Sequence, residues 1–229
     1  MVARISPERA TGMLLILLLI SLIVTSSVGP EVDTRRSEFS ASLVEIPDNQ
    51  ERYWTSIGFG LLSDLLTISL AGLLYLVLRP HGRSLALVGS FSLLAGAVTL
   101  LGFHMSRFGL TYLAEAYIGA TGPRADTIES MARAFARAGD FGAFSALTLI
   151  ALGLLSFGAV FIRSKALPRY LGGLAVVSGL LLPFFWLSSA VDGIWIVGLV
   201  GFAGTLLWQL LLGSWLLLKG PLQPEATGR

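Results

Sequence analysis

The 229-residue chain contains no cysteine. That excludes a disulfide framework, a thiolate metal site and a cysteine nucleophile. Histidine occurs only at His81 and His104, too few for a zinc site of three or four nitrogen and sulfur ligands. The two sit near opposite ends of an apolar span, so they do not suit bis-histidine haem within one chain. Asn49 is the only asparagine and starts no glycosylation sequon. There is no glycine-rich phosphate loop, no G-x-S-x-G and no H-E-x-x-H. Charge is also scarce, at 13% of residues against about 25% in a soluble domain. This excludes a disordered chain, a nucleic-acid-binding domain and an ordinary cytosolic enzyme. No cofactor, no metal and no nucleic-acid partner is expected, and an enzymatic role is not favoured.

What the chain has instead is apolar length. Hydrophobic residues make up 54% and the mean hydropathy is +0.77. Uncharged runs cover 10–30, 65–78, 84–103, 141–162, 170–191 and 193–218, and the second extends back to 53 if Asp64 is admitted. A helix needs about 20 apolar residues to cross a bilayer, and unbroken apolar runs do not alternate as barrel strands do. The expectation is an all-α protein, a single domain of six transmembrane helices at about 10–29, 53–79, 84–105, 140–162, 168–190 and 194–218. Pro30 and Pro80 close the first two spans, Pro168 opens the fifth and Pro183 kinks it. Residues 79–83 and 163–169 form short turns, so spans two and three, and four and five, are antiparallel pairs. The basic Arg4 and Arg9 ahead of the first span resemble a signal peptide, but Thr25-Ser26-Ser27-Val28-Gly29 is a poor cleavage site, and the span is read as retained.

Two segments between spans carry helical signals. One short helix is expected around Phe39 to Ile46. A second, amphipathic one is expected over 125–139, with Asp126 as N-cap, Glu129 three residues on, and Ile128, Met131, Ala132 and Phe135 at helical spacing. It either lies on the outer surface or runs on into span four. With the N-terminus inside, the inner segments hold nine basic and two acidic residues, the outer ones seven basic and eleven acidic. The positive-inside rule then puts both termini in the cytoplasm.

Asp64 is the residue that most demands explanation. It lies eleven positions after Tyr53, about 16 Å along a helix and therefore near mid-membrane. A carboxylate there costs roughly 2.5–3.5 kcal/mol on insertion scales, so it should face the bundle interior or a wet cavity. It is a candidate proton or ligand-binding acid, or else a tie between spans. Gln209 is its partner by depth, with Thr67, Thr99, Thr148, Ser178 and Thr205 at similar levels. His104, near the outer end of span three, and Arg107 one turn later are ligand or proton-binding candidates: they could hold an anionic headgroup, or His104 could take up a proton near neutral pH, although an interfacial histidine satisfied by water is the simpler reading of His104. The glycine stripe Gly198, Gly201 and Gly204 is read as close helix packing within the core rather than as an oligomer interface.

Four stretches carry a family resemblance: Thr11-Gly12-Met13-Leu14-Leu15, Leu61-Leu62-Ser63-Asp64-Leu65-Leu66, Leu73-Leu74-Tyr75-Leu76-Val77-Leu78-Arg79-Pro80 and Ala166-Leu167-Pro168-Arg169-Tyr170-Leu171-Gly172. With the order of apolar segments they resemble the bacterial membrane family called domain of unknown function 4386, over about residues 8–220. The resemblance implies a multi-helix protein of the bacterial cytoplasmic membrane and transfers no catalytic residue. Three functions stand open. The first is a binding, structural or accessory-subunit role, with the lipid bilayer and other membrane subunits as partners. The second is a small proton-coupled transporter using Asp64, and the third an intramembrane lipid-modifying enzyme.

Overall fold

A computed structural model of the chain describes residues 6–28, 39–164, 167–187 and 194–219. The Pro30 stop, the basic residues Arg4, Arg35, Arg36, Lys165 and Arg229, and the end of the fifth span lie outside the described residues. Among those described, the chain is all-α. Seven helices follow in order: α1 (Pro7–Val28), α2 (Phe39–Asp48), α3 (Gln50–Ile118), α4 (Pro123–Arg163), α5 (Arg169–Leu181), α6 (Phe184–Leu187) and α7 (Trp195–Lys219). Four stretches are long and apolar enough to cross a membrane: α1, α3, α4 and Ile196–Leu218 of α7.

The 69 residues of α3 fold back on themselves. The backbone leaves the helical region at Gly82, two residues after Pro80, whose ring cannot donate to the ladder. The arms 50–81 and 83–118 then run antiparallel. Tyr53 Oη donates to the Arg107 carbonyl at 3.4 Å and Gln50 Nε2 to Glu115 Oε1 at 3.4 Å. His81 Nδ1 lies 3.2 Å from Ser164 Oγ, tying this turn to the end of α4.

The amphipathic stretch 125–139 is not a separate surface helix. It forms the first part of α4, a single helix of 41 residues, about 62 Å long. Its N-cap is Gly122, at φ 59°, with Pro123 in the first turn, and not Asp126. The left-handed backbone that glycine tolerates starts the helix one turn earlier. Glu129 instead pairs with Arg133 at 2.8 Å. The helix that carries the third span likewise extends beyond it. Its arm continues past residue 105 to Ile118, because the partner helix α4 runs alongside and packs against it. The fifth span is broken at Leu182 and Pro183, between α5 and α6. The short helix expected around Phe39 is α2.

Two apolar clusters stack along the bundle. The larger joins Leu15 and Leu18 of α1, Leu70 to Leu78 and Leu93 of α3, Phe157 and Phe161 of α4, Leu171 of α5, and Trp208 and Leu212 of α7. The smaller lies toward the far end of the α3 hairpin, where Phe39, Leu43 and Ile46 of α2 meet Tyr53, Ile57, Leu110, Ala132 and Ala136. Small residues bring the helix axes together. A Cβ on Gly158 would stand 2.8 Å from the Gly172 carbonyl, and one on Gly12 2.9 Å from the Gly213 carbonyl. Gly198, Gly201 and Gly204 abut Phe185, Leu181 and Ser178 of the same chain.

Outward, large apolar side chains remain bare. Phe141 is 73% exposed, Phe91 62% and Leu65 56%. An apolar surface of that extent marks contact with lipid or with other apolar partners.

Gly158→Leu should cost about 1–3 kcal/mol by forcing α4 from α5, whereas Gly72→Ala, where a Cβ meets nothing within 4 Å, should be neutral or stabilising by up to about 1 kcal/mol. Thermal unfolding of the two purified variants in one detergent checks the ranking, and equal midpoints would contradict it.

Candidate functional site

Between the two apolar clusters lies a buried polar pair. His104 Nδ1 is 2.7 Å from Asp64 Oδ2. Asp64 is 2% exposed and His104 8%. The arms of α3 carry the two residues 40 positions apart, and the hairpin alone does not level them. His104 lies about one turn farther from Gly82 than Asp64 does, roughly 6 Å. The gap closes because a helical side chain leans toward its helix N-terminus. In antiparallel arms Asp64 leans away from the turn and His104 leans toward it, so the two converge. Gly60, one turn before Asp64, makes the space. A Cβ there would collide with the His104 ring.

The reading of His104 as an interfacial histidine satisfied by water is therefore corrected. Its nearest polar partner is Asp64. Arg107, one turn further, lays its guanidinium over the Phe103 ring, 5.1 Å from the centroid.

On the side of the pair facing the larger cluster is a cavity of about 90 Å³, room for several water molecules. Asp64, Ser63, Thr67, Thr205, Trp208 and Gln209 supply its polar groups, and leucines with Ile150, Phe157 and Phe202 the rest. Asp64 and Gln209, paired by depth in the sequence, thus meet across one space rather than through a direct bond. Gln209 Oε1 and Trp208 Nε1 are fully buried and have no hydrogen-bond partner. Such groups carry a desolvation cost of about 1–3 kcal/mol each, which a bound molecule would relieve.

The hydroxyls around the pair are committed. Thr67 donates to the Ser63 carbonyl at 2.7 Å and Thr205 to the Gly201 carbonyl at 2.9 Å. Ser63 Oγ lies 2.9 Å from both Ser21 Oγ and the Phe59 carbonyl, and Ser21 donates to that same carbonyl at 2.8 Å. This seam fastens α1 to α3 beside Asp64. Thr99 and Thr148 bond the carbonyls of their own helices and stand apart from the cavity. Among the described residues, no group of three or more acidic or imidazole side chains could hold a metal ion.

Sequence reasoning reached Asp64, Gln209, Thr67 and Thr205. It missed Trp208, Gly60 and the seam through Ser21 and Ser63. Trp208 carried a readable signal, since an indole N–H far from either end of an apolar span needs a partner.

With this geometry established, comparison with known proteins adds one finding. A family model described as "Domain of unknown function (DUF4386)" matches residues 10–220. The chain belongs to this family. No curated protein and no solved structure matches it. Membership in DUF4386 covers both arms of α3 and all of α7, hence every residue of the pair and of the cavity lining, and brings no assigned chemistry with it.

Removing one partner of a buried ion pair costs about 3–5 kcal/mol. Asp64→Ala and His104→Ala in this DUF4386 chain should each lose about that much stability, and the double variant should cost less than their sum, by about 0.5–3 kcal/mol. A double-mutant cycle read by denaturant unfolding in mixed micelles checks this. Strict additivity would mean that the two side chains do not interact.

Proposed function

We propose that this chain is a six-span protein of the bacterial cytoplasmic membrane, with both termini inside, that binds a small molecule between its helices and moves a proton through Asp64 and His104. The observation that carries the reading is the 2.7 Å contact between two buried ionisable groups, of which Asp64 also lines a largely apolar cavity. A structural tie needs the contact but not the cavity with its unpartnered Gln209 and Trp208. Ionisable residues inside membrane helices are rare, pair with one another, and mark proton relays and substrate paths.

The six crossings are α1, the two arms of α3, α4, the broken α5–α6 segment and α7. The exposed apolar belt and the basic excess of the short inner segments support this arrangement. The outer parts of the α3 hairpin and of α4, with α2, would stand above the bilayer as a cap over the pair.

An accessory-subunit role draws less support. The glycine stripe of α7, the face best suited to a partner helix, is filled by α5 and α6 of the same chain. A lipid-modifying reaction draws less still. Among the described residues, no hydroxyl is hydrogen-bonded to His104 Nε2, so the pair has no nucleophile to activate.

The absence of native cysteine makes topology directly measurable. Thr121→Cys should react with a membrane-impermeant maleimide from outside intact cells, and Ser84→Cys only after permeabilisation. Reaction of both from one side would overturn the arrangement. In proteoliposomes under a potassium diffusion potential, the wild-type chain should carry proton flux, and Asp64→Asn should reduce it roughly tenfold or more. Equal flux in the two, or none in the wild type, would remove the proton-moving role.

A further inference from the structure

The polar atoms that face the cavity are unevenly divided between donors and acceptors. Thr67 and Thr205 have spent their protons on backbone carbonyls, so what each can offer the cavity is a lone pair. Gln209 Oε1 is a buried acceptor without a donor. Asp64 has one oxygen held by His104 and a second left to offer. On the donor side stand the Gln209 amide Nε2 and the Trp208 indole N–H, whose ring face also attracts cations. The remaining walls are leucine, isoleucine and phenylalanine.

An anion is repelled by Asp64. A neutral alcohol brings one proton for several acceptors. A bare metal cation needs a closed shell of oxygens, which leucine cannot supply. A primary ammonium brings three N–H donors on an alkyl body and matches both the acceptors and the apolar walls.

We propose that the cavity between Asp64 and Gln209 is a site for a small primary alkylammonium ion, taken up in exchange for the proton shared by Asp64 and His104. The inference rests on the proposed function and names its ligand class. When the pair holds the extra proton, as imidazolium beside carboxylate, it is neutral overall. The ammonium binds the free carboxylate oxygen and Gln209 Oε1, His104 releases its extra proton to water, and imidazole continues to donate Nδ1–H to Asp64. One positive charge enters the site and one leaves, and no covalent bond to carbon changes. Of the other ionisable groups, Tyr53 and Arg107 sit on the arms of α3 beyond the pair, and α4 brings Asp140 to the level of His104, since its neighbour Gly139 packs against Phe103 and Ser106. α1 and α7 carry ionisable side chains only near their ends, at Glu8, Arg9 and Lys219. α5 carries them only in its first turn, and α2 carries Glu45 and Asp48 in the outer cap.

The test is isothermal titration of the full purified chain in detergent with n-propylammonium, 1-propanol and propionate. Propylammonium should bind, and the other two should not. In the pH range where the pair is protonated, its affinity should rise about tenfold per pH unit, with one proton released per ion bound. Gln209→Leu, which keeps the volume, should weaken propylammonium binding about tenfold. His104→Gln should flatten the pH dependence. Propionate or propanol binding as tightly as propylammonium, or binding without proton release, would overturn the assignment. Retained proton flux with no propylammonium binding would overturn the ligand class and leave the proton-moving role standing.

Discussion

A carboxylate cannot be left alone in an apolar bundle, and Asp64 is at the centre of one. Its contact with His104 answers that constraint, and much of the local architecture follows. The α3 hairpin must turn at Gly82 so that its arms run antiparallel. Residue 60 must be glycine so that the imidazole ring can lie against the opposite arm. The Ser21–Ser63 seam must hold α1 close enough to shut out solvent on that side. A buried pair of this kind adds little net stability compared with well-packed leucine. Its presence therefore directs attention to what the pair does rather than to what it holds.

The position of the pair matters as much as its geometry. It divides an inner core of leucine and phenylalanine from an outer cluster built on Phe39, Leu43, Tyr53 and Leu110. The outer cluster, with α2 laid across α3 and α4, separates the pair from the water beyond. The cavity lies on the other side, against α7. On the proposed reading, an ion or a proton reaching Asp64 from outside must pass that cluster, and one leaving inward must pass between α1, α4 and α7. These two barriers are where a conformational change would have to act.

The helices were legible because each crosses a run of uncharged residues too long to be anything else. Their ends were not. Charged residues at 107, 115, 124 to 137 and 140 suggested that the spans stop at a bilayer surface, whereas α4 and the second arm of α3 continue through those residues because each provides the other with a packing face. Gly122 outcompeted Asp126 as a cap because a left-handed glycine and Pro123 preset the helix start. Asp64 and Gln209 were found by depth, since an acid or an amide in mid-span is rare enough to notice. His104 was misjudged because depth was counted at the Cα. The opposed lean of side chains on antiparallel helices, worth about a full turn, cannot be read until the pairing of the arms is known.

The histidine content allows the central contact to be measured in isolation. With two histidines in the chain, 15N-labelled imidazole gives two sets of ring signals, and His104→Gln identifies which is which. The account predicts that the His104 Nδ1 proton is strongly deshielded, exchanges with water far more slowly than that of His81, and loses both properties in Asp64→Leu. A His104 ring that exchanges as fast as His81, or that is indifferent to Asp64→Leu, would contradict it.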